Sequence, residues 1–147
     1  MVRYNWKNLI DGKIPSDCTE LYCSFRQTNE LPELPQTLQL LGCFDNNLSE
    51  LPELPQTLTY LNCAYNNLSS LPELPQTLNY LSCYNNNLSS LPELPQTLKK
   101  LDCSNNNIKY LSHKNCEIIK KLRYGGVLNN PFSANFTDDD EFISSLD

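Results

Sequence analysis

Leucines recur through the middle of the chain in a fixed phrase. The segment Leu-Pro-Glu-Leu-Pro-Gln-Thr-Leu begins at Leu31, Leu51, Leu71 and Leu91, so the copies are 20 residues apart. Each is followed by Leu-x-Cys-x-x-Asn-Asn and then an aliphatic residue. Leu41, Leu61, Leu81 and Leu101 are therefore equivalent, as are Cys43, Cys63, Cys83 and Cys103. The asparagine column is Asn46, Asn66, Asn86 and Asn106, and the aliphatic one Leu48, Leu68, Leu88 and Ile108. A short unit copied in phase predicts a repeat solenoid, because each unit buries its apolar face only against its neighbours.

The spacing inside the unit predicts its local structure. Leu and Cys two positions apart point to one face of a strand, and that face is the core. In the middle coil Leu51, Leu54, Leu58 and Leu68 are expected to join them. The asparagines fall where the chain leaves the strand and turns inward; an amide that both donates and accepts suits them to a stacked hydrogen-bonded ladder. Pro35, Pro55, Pro75 and Pro95, with a second proline three residues before each, exclude a helix on the return side and predict an extended, polyproline-like segment.

The frame weakens at both ends. Ile14-Pro15, Leu21 and Cys23 fall on the repeat, but Arg26 and Thr28 replace the Asn and the aliphatic residue, so residues 11–30 form a degraded first coil. Forwards, Ile119, Leu122 and Tyr124 continue the frame with one inserted residue, closed by Asn129 or Asn130. That makes four sound repeats and two imperfect ones. Before them, Asn5, Trp6, Leu9 and Ile10 predict a helical turn over the open core. After them, Thr137 ahead of Asp138, Asp139, Asp140 and Glu141 predicts a helix start, with Phe142 and Leu146 on one face, as a cap or a docking motif.

Composition narrows the setting. A net charge of −6 argues against nucleic acid and anionic membrane as partners, although basic residues gather near Lys99, Lys100, Lys120, Lys121 and Arg123. Met1 to Ile10 holds no apolar run suited to a signal peptide, and nothing approaches the ~20 apolar residues of a membrane span. Of four sequons, at Asn47, Asn67, Asn87 and Asn135, three are one repeat position copied. Seven cysteines raise disulfide and metal chemistry. Five of them, Cys23 to Cys103, form one inward column; a row of parallel side chains ~4.8 Å apart suits neither disulfide geometry nor a tetrahedral zinc site. Packing is the reading adopted, with no cofactor and no metal. Free buried thiols then point to a reducing, cytoplasmic setting. Cys18 falls on the Leu38 column and is assigned to the core.

With those residues in place the chain resembles the short leucine-rich repeat of the Leu-Pro-x-Leu-Pro type, found in bacterial effectors and in some giant-virus proteins. The resemblance implies a right-handed leucine-rich repeat solenoid over residues 11–130, with a parallel concave sheet of about six strands and an extended convex side. Residues 1–10 and 131–147 are then the N-terminal cap and a C-terminal cap or acidic tail. Effector relatives often carry a separate ubiquitin-ligase domain after the repeats; too few residues follow here for one.

Positions flanking the inward Leu and Cys face the concave side, and they vary while the scaffold does not. One column runs Glu20, Leu40, Tyr60, Tyr80, Lys100, Lys121; the next Tyr22, Gly42, Asn62, Ser82, Asp102, Arg123; the third Ser24, Phe44, Ala64, Tyr84, Ser104, Gly125. An apolar and aromatic centre (Leu40, Phe44, Tyr60, Tyr65, Tyr80, Tyr84) and a cationic end (Lys100, Lys121, Arg123) make this the expected protein-binding surface. Cross-strand stacking that only stiffens the sheet is the competing reading. The invariant stripe Glu33, Glu53, Glu73 and Glu93 is expected to be a solvated face. No nucleophile-base constellation is recognisable. The expected function is a non-catalytic interaction module, monomeric, a pathogen or viral factor acting on a host protein. An assembly component, and a substrate-recognition remnant of an effector ligase, are the alternatives.

Overall fold

In a computed structural model the structure describes residues 2–5, 13–122, 124–127 and 130–131. The helical turn expected around Trp6–Ile10 and the acidic helix expected from Thr137 lie outside these residues. Each repeat contributes one three-residue strand: β2 (Glu20–Tyr22), β3 (Leu40–Gly42), β4 (Tyr60–Asn62), β5 (Tyr80–Ser82) and β6 (Lys100–Asp102). These five pair in parallel with the 20-residue register intact, Leu21 beside Leu41, Leu61, Leu81 and Leu101. One strand is added at each edge, β1 (Arg3–Asn5) before β2 and β7 (Tyr124–Gly126) after β6, giving seven in chain order.

The core is a stack of equivalent side chains. Leu21, Leu41, Leu61 and Leu81 and the cysteines from Cys23 to Cys103 are fully enclosed, as are Leu38, Leu58 and Leu78 from the return side. On that side the prolines hold the chain extended, and a turn closes at each coil where the Leu58 amide, for example, donates to the Pro55 carbonyl at 3.0 Å. The seven cysteines are buried and form no disulfide, Cys116 among them. The Cys23 and Cys63 thiols bond to carbonyls of the next coil, those of Gly42 and Ser82, each at 3.5 Å. Burial pushes the Cys23, Cys63 and Cys103 thiols up to about 12.

Two ladders of polar side chains join the coils. In the first, Asn66 Nδ2 donates to the Cys43 and Cys63 carbonyls at 3.1 Å, and Asn66 Oδ1 accepts the Leu48 amide at 3.0 Å. Asn46, Asn86 and Asn106 repeat the pattern, and Asn130 closes it against Cys103 and Ile108. The second ladder had no counterpart in the sequence reading. Thr37, Thr57, Thr77 and Thr97 hydroxyls each reach two carbonyls of the preceding coil; Thr77 Oγ1 lies 2.8 Å from the Gln56 oxygen and 2.7 Å from that of Leu58.

The last coil departs from the expected frame. Residues His113–Lys121 form helix α1 rather than an irregular strand-bearing loop. The Leu-Pro-x-Leu-Pro phrase is absent there, Ser112 caps the helix by accepting the Asn115 amide at 3.1 Å, and Ile118 and Ile119 face the core. Asn115 also ties the helix to the previous coil, accepting the Leu94 amide at 2.9 Å and donating to the Pro92 carbonyl at 2.9 Å. A helix rises only ~1.5 Å per residue against ~3.3 Å for extended chain, so this coil needs more residues. The partner of Leu101 is accordingly Gly125, 24 positions on rather than 20, and Tyr124 stands beside Lys100.

Candidate binding surface

The first outward column is assembled in register across the sheet, with Glu20, Leu40, Tyr60, Tyr80 and Lys100 side by side. Parallel pairing sets such neighbours one strand apart, close enough for flat side chains to touch. The Tyr60 and Tyr80 rings stack at 4.2 Å between centroids and 8° between planes, and Lys100 Nζ lies 5.9 Å from the Tyr80 centroid. Partial burial, then the neighbouring Tyr60, raises the Tyr80 phenol. All three side chains keep an accessible edge, Lys100 most of all. Stacking and exposure coexist here, so stiffening the sheet does not remove the rings from solvent.

At the N-terminal end the column changes character. Glu20 is buried, and its carboxylate accepts from Arg3 Nε at 2.7 Å and from the Tyr22 hydroxyl at 3.2 Å. The Arg3 guanidinium also sits 5.2 Å above the Tyr22 ring, which lies across the Gly42 backbone. Arg3 and Glu20 therefore close this end with a matched charge pair, which Tyr22 joins through its hydroxyl and its ring. The opposite end carries Lys100 beside Asp102, whose Oδ1 accepts the Ser104 amide at 3.1 Å and the Ser104 hydroxyl.

The remaining predicted residues divide. Phe44 and Tyr84 stand in the third column, half-buried. Tyr65 is not on the sheet but three residues past the end of β4, at the turn where the chain exits the strand. Lys121 is corrected from the concave sheet to the end of α1, because the helix consumes the residues that the frame assigned to a strand. Arg123 lies outside the described residues.

The exit turn holds the feature that sequence reasoning missed. Phe25, Asp45, Tyr65, Asn85 and Asn105 occupy one column, and all have positive φ, between 51° and 59°. Asn and Asp tolerate this left-handed region; Phe and Tyr do so at a cost of about 1–2 kcal/mol. Phe25 is 65% exposed and Tyr65 46%. Each leans edge-on against the aromatic residue of the next coil, Phe25 on Phe44 at 4.7 Å and Tyr65 on Tyr84 at 4.6 Å. A hydrogen bond shared with Tyr65, then partial burial, pushes the Tyr84 phenol up to about 12. The Asn and Asp in the column were the available signal for the turn.

A parallel sheet of leucine-bearing strands, an asparagine ladder at the exit turn and a proline-rich return define a leucine-rich-repeat solenoid. No family model matches the chain, and no curated protein does. Among solved structures it is similar to YopM from Yersinia enterocolitica WA-314, with 39% identity, a TM-score of 0.75 and coverage of 80% of this chain. It is similar also to a Shigella effector leucine-rich-repeat domain, with 36% identity, a TM-score of 0.71 and coverage of 78%. The chain thus has the leucine-rich-repeat fold and is similar to the repeat domains of bacterial effector proteins. It spans 25% of the first structure's length and 50% of the second's. No helix among the described residues is long and apolar enough to cross a membrane.

Proposed function

We propose that the chain is a non-catalytic module that binds a protein partner on its concave face, through the row Leu40, Tyr60, Tyr80 and Lys100 with Phe44 and Tyr84 beside it. One observation carries this reading: the row varies from coil to coil while every scaffold column repeats, and its stacked aromatic rings remain accessible. Stacked tyrosines are pre-ordered, so a partner buries them with little further loss of side-chain entropy. The neighbouring structures include an effector repeat domain. By that likeness the partner is a host protein met in the host cytoplasm, with the module acting as a virulence factor.

The test is affinity capture with the tagged chain and with a variant carrying Tyr60→Ala, Tyr80→Ala and Tyr84→Ala. Circular dichroism first verifies that the solenoid is retained. The expected result is loss of at least about tenfold in partner recovery, as for removal of central aromatic anchors. Undiminished recovery by a folded variant removes the concave face from the reading.

A further inference from the structure

We propose that the exit-turn edge of the solenoid carries a second site, beside the concave sheet, that binds a neutral saccharide over the Tyr65 ring. A shallow, open depression of about 320 Å³ runs along this edge and is lined by asparagines, among them Asn67, Asn85, Asn87 and Asn105, with Tyr65 the one aromatic among the described residues that line it. Among the described residues no charged side chain lines it. An edge of asparagines alone would be a solvated surface. The ring is what distinguishes it.

That ring is held against two penalties. Its backbone sits at φ 51°, in a column where the next two coils carry Asn85 and Asn105, which suit the conformation better. It is also 46% exposed, so about half of its surface is left open to solvent. Its edge contact with Tyr84 fixes the ring's attitude instead. Strain and exposure in one residue point to a role outside folding.

The chemistry of the lining selects the ligand. A sugar presents a face of C–H groups, which an aromatic ring accepts, and a rim of hydroxyls, which both donate and accept. Asparagine amides supply both functions on one side chain. The ladder amides of Asn66 and Asn86 are already committed to backbone groups, but the Asn67 and Asn87 side chains are exposed at the depression. Successive coils repeat them at about 4.8 Å, the scale of one sugar ring along an extended chain. A phosphorylated or sulfated ligand would call for cations, and the lining has none.

The test is nuclear magnetic resonance titration of the full chain, ¹⁵N-labelled, with chitotetraose, cellotetraose and maltotetraose in turn. At least one should move the backbone and side-chain amides of 65–67 and 85–87. The decisive variant is Tyr65→Asn, which removes the ring and installs the residue that neighbouring coils use. Relief of strain and loss of the aromatic pair oppose one another, so it should fold as the parent does. Its saccharide affinity should fall by at least about tenfold. Tyr60→Ala, on the sheet, should leave that affinity unchanged, which separates this site from the protein-binding face. The proposal is overturned if none of the three sugars shifts these amides at about 10 mM, if Tyr65→Asn binds as the parent does, or if Tyr60→Ala abolishes binding.

Discussion

Replacing Asn66 by alanine removes the centre of the ladder while leaving every leucine in place. The Leu48 amide, buried and bonded at 3.0 Å to Asn66 Oδ1, is then orphaned. An unsatisfied buried amide costs about 1–3 kcal/mol. The Cys43 and Cys63 carbonyls each lose one donor but keep a second, from Asn46 and Asn86. Two such bonds add about 0.5–1.5 kcal/mol each, so the loss should be about 2–6 kcal/mol. Asn67→Ala, one residue on and exposed, is the control and should change stability by less than about 0.5 kcal/mol. Asn66→Asp sharpens the test. One carboxylate oxygen still accepts the Leu48 amide, but the other faces two carbonyls at 3.1 Å where an N–H had donated. Ionisation is penalised there, so the folded-state pKa rises above the unfolded value of about 3.9. A group shifted this way contributes its stability below the unfolded pKa and loses it as pH rises through the folded one. A rise to about pH 6 would make the variant weaker by about 2.7 kcal/mol at neutral pH than in acid. Guanidinium denaturation followed by circular dichroism between pH 3 and 7 (range set by the carboxyl titration) reads all three variants. A loss below about 1 kcal/mol for Asn66→Ala, or a pH-independent Asn66→Asp deficit, would refute the role assigned to the ladder.

Four further outcomes are expected. With their thiols pushed to about 12 from an ordinary value of 9.0, Cys23, Cys63 and Cys103 should resist an aromatic disulfide reagent at pH 8 and react once guanidinium unfolds the chain. Because those folded values lie above the unfolded ones, stability is present below pH 9 and falls as pH rises towards 12; a flat alkaline stability profile would contradict it. Thr77→Val keeps the shape but removes both bonds to Gln56 and Leu58, so a destabilisation of about 1–3 kcal/mol is expected in a melt, and a neutral result would demote the threonine ladder. Asn85→Val places a β-branched residue at φ 55° and should lose about 1–2 kcal/mol, whereas Asn85→Gly should be near neutral; equal effects would show that the turn can relax.

The repeat frame was legible because a strand's period of two and a fixed 20-residue copy leave one arrangement that buries Leu and Cys together. Leu61 and Cys63 needed no tertiary information to be placed inward, and the Asn column followed from where the chain must turn. The threonine ladder was hidden by the very regularity that revealed the solenoid. In near-identical copies every position of the return segment is invariant, so invariance alone does not mark the Thr77 side chain as bonded and that of Gln76 as solvated.

What the sequence determined by itself was therefore local and periodic: the strand phase, the inward columns, the helix-free return and the variable outward face. What only the tertiary structure decided was non-local. Helix α1 depends on Asn115 reaching Leu94 and Pro92 in the previous coil, and it moves Lys121 off the sheet and brings Tyr124 beside Lys100. The stacking of Tyr60 on Tyr80 and the leaning of Tyr65 on Tyr84 likewise exist only once adjacent coils meet. A one-dimensional repeat specifies each coil from its own residues, but the contacts between coils, where the surface chemistry lies, are settled by stacking.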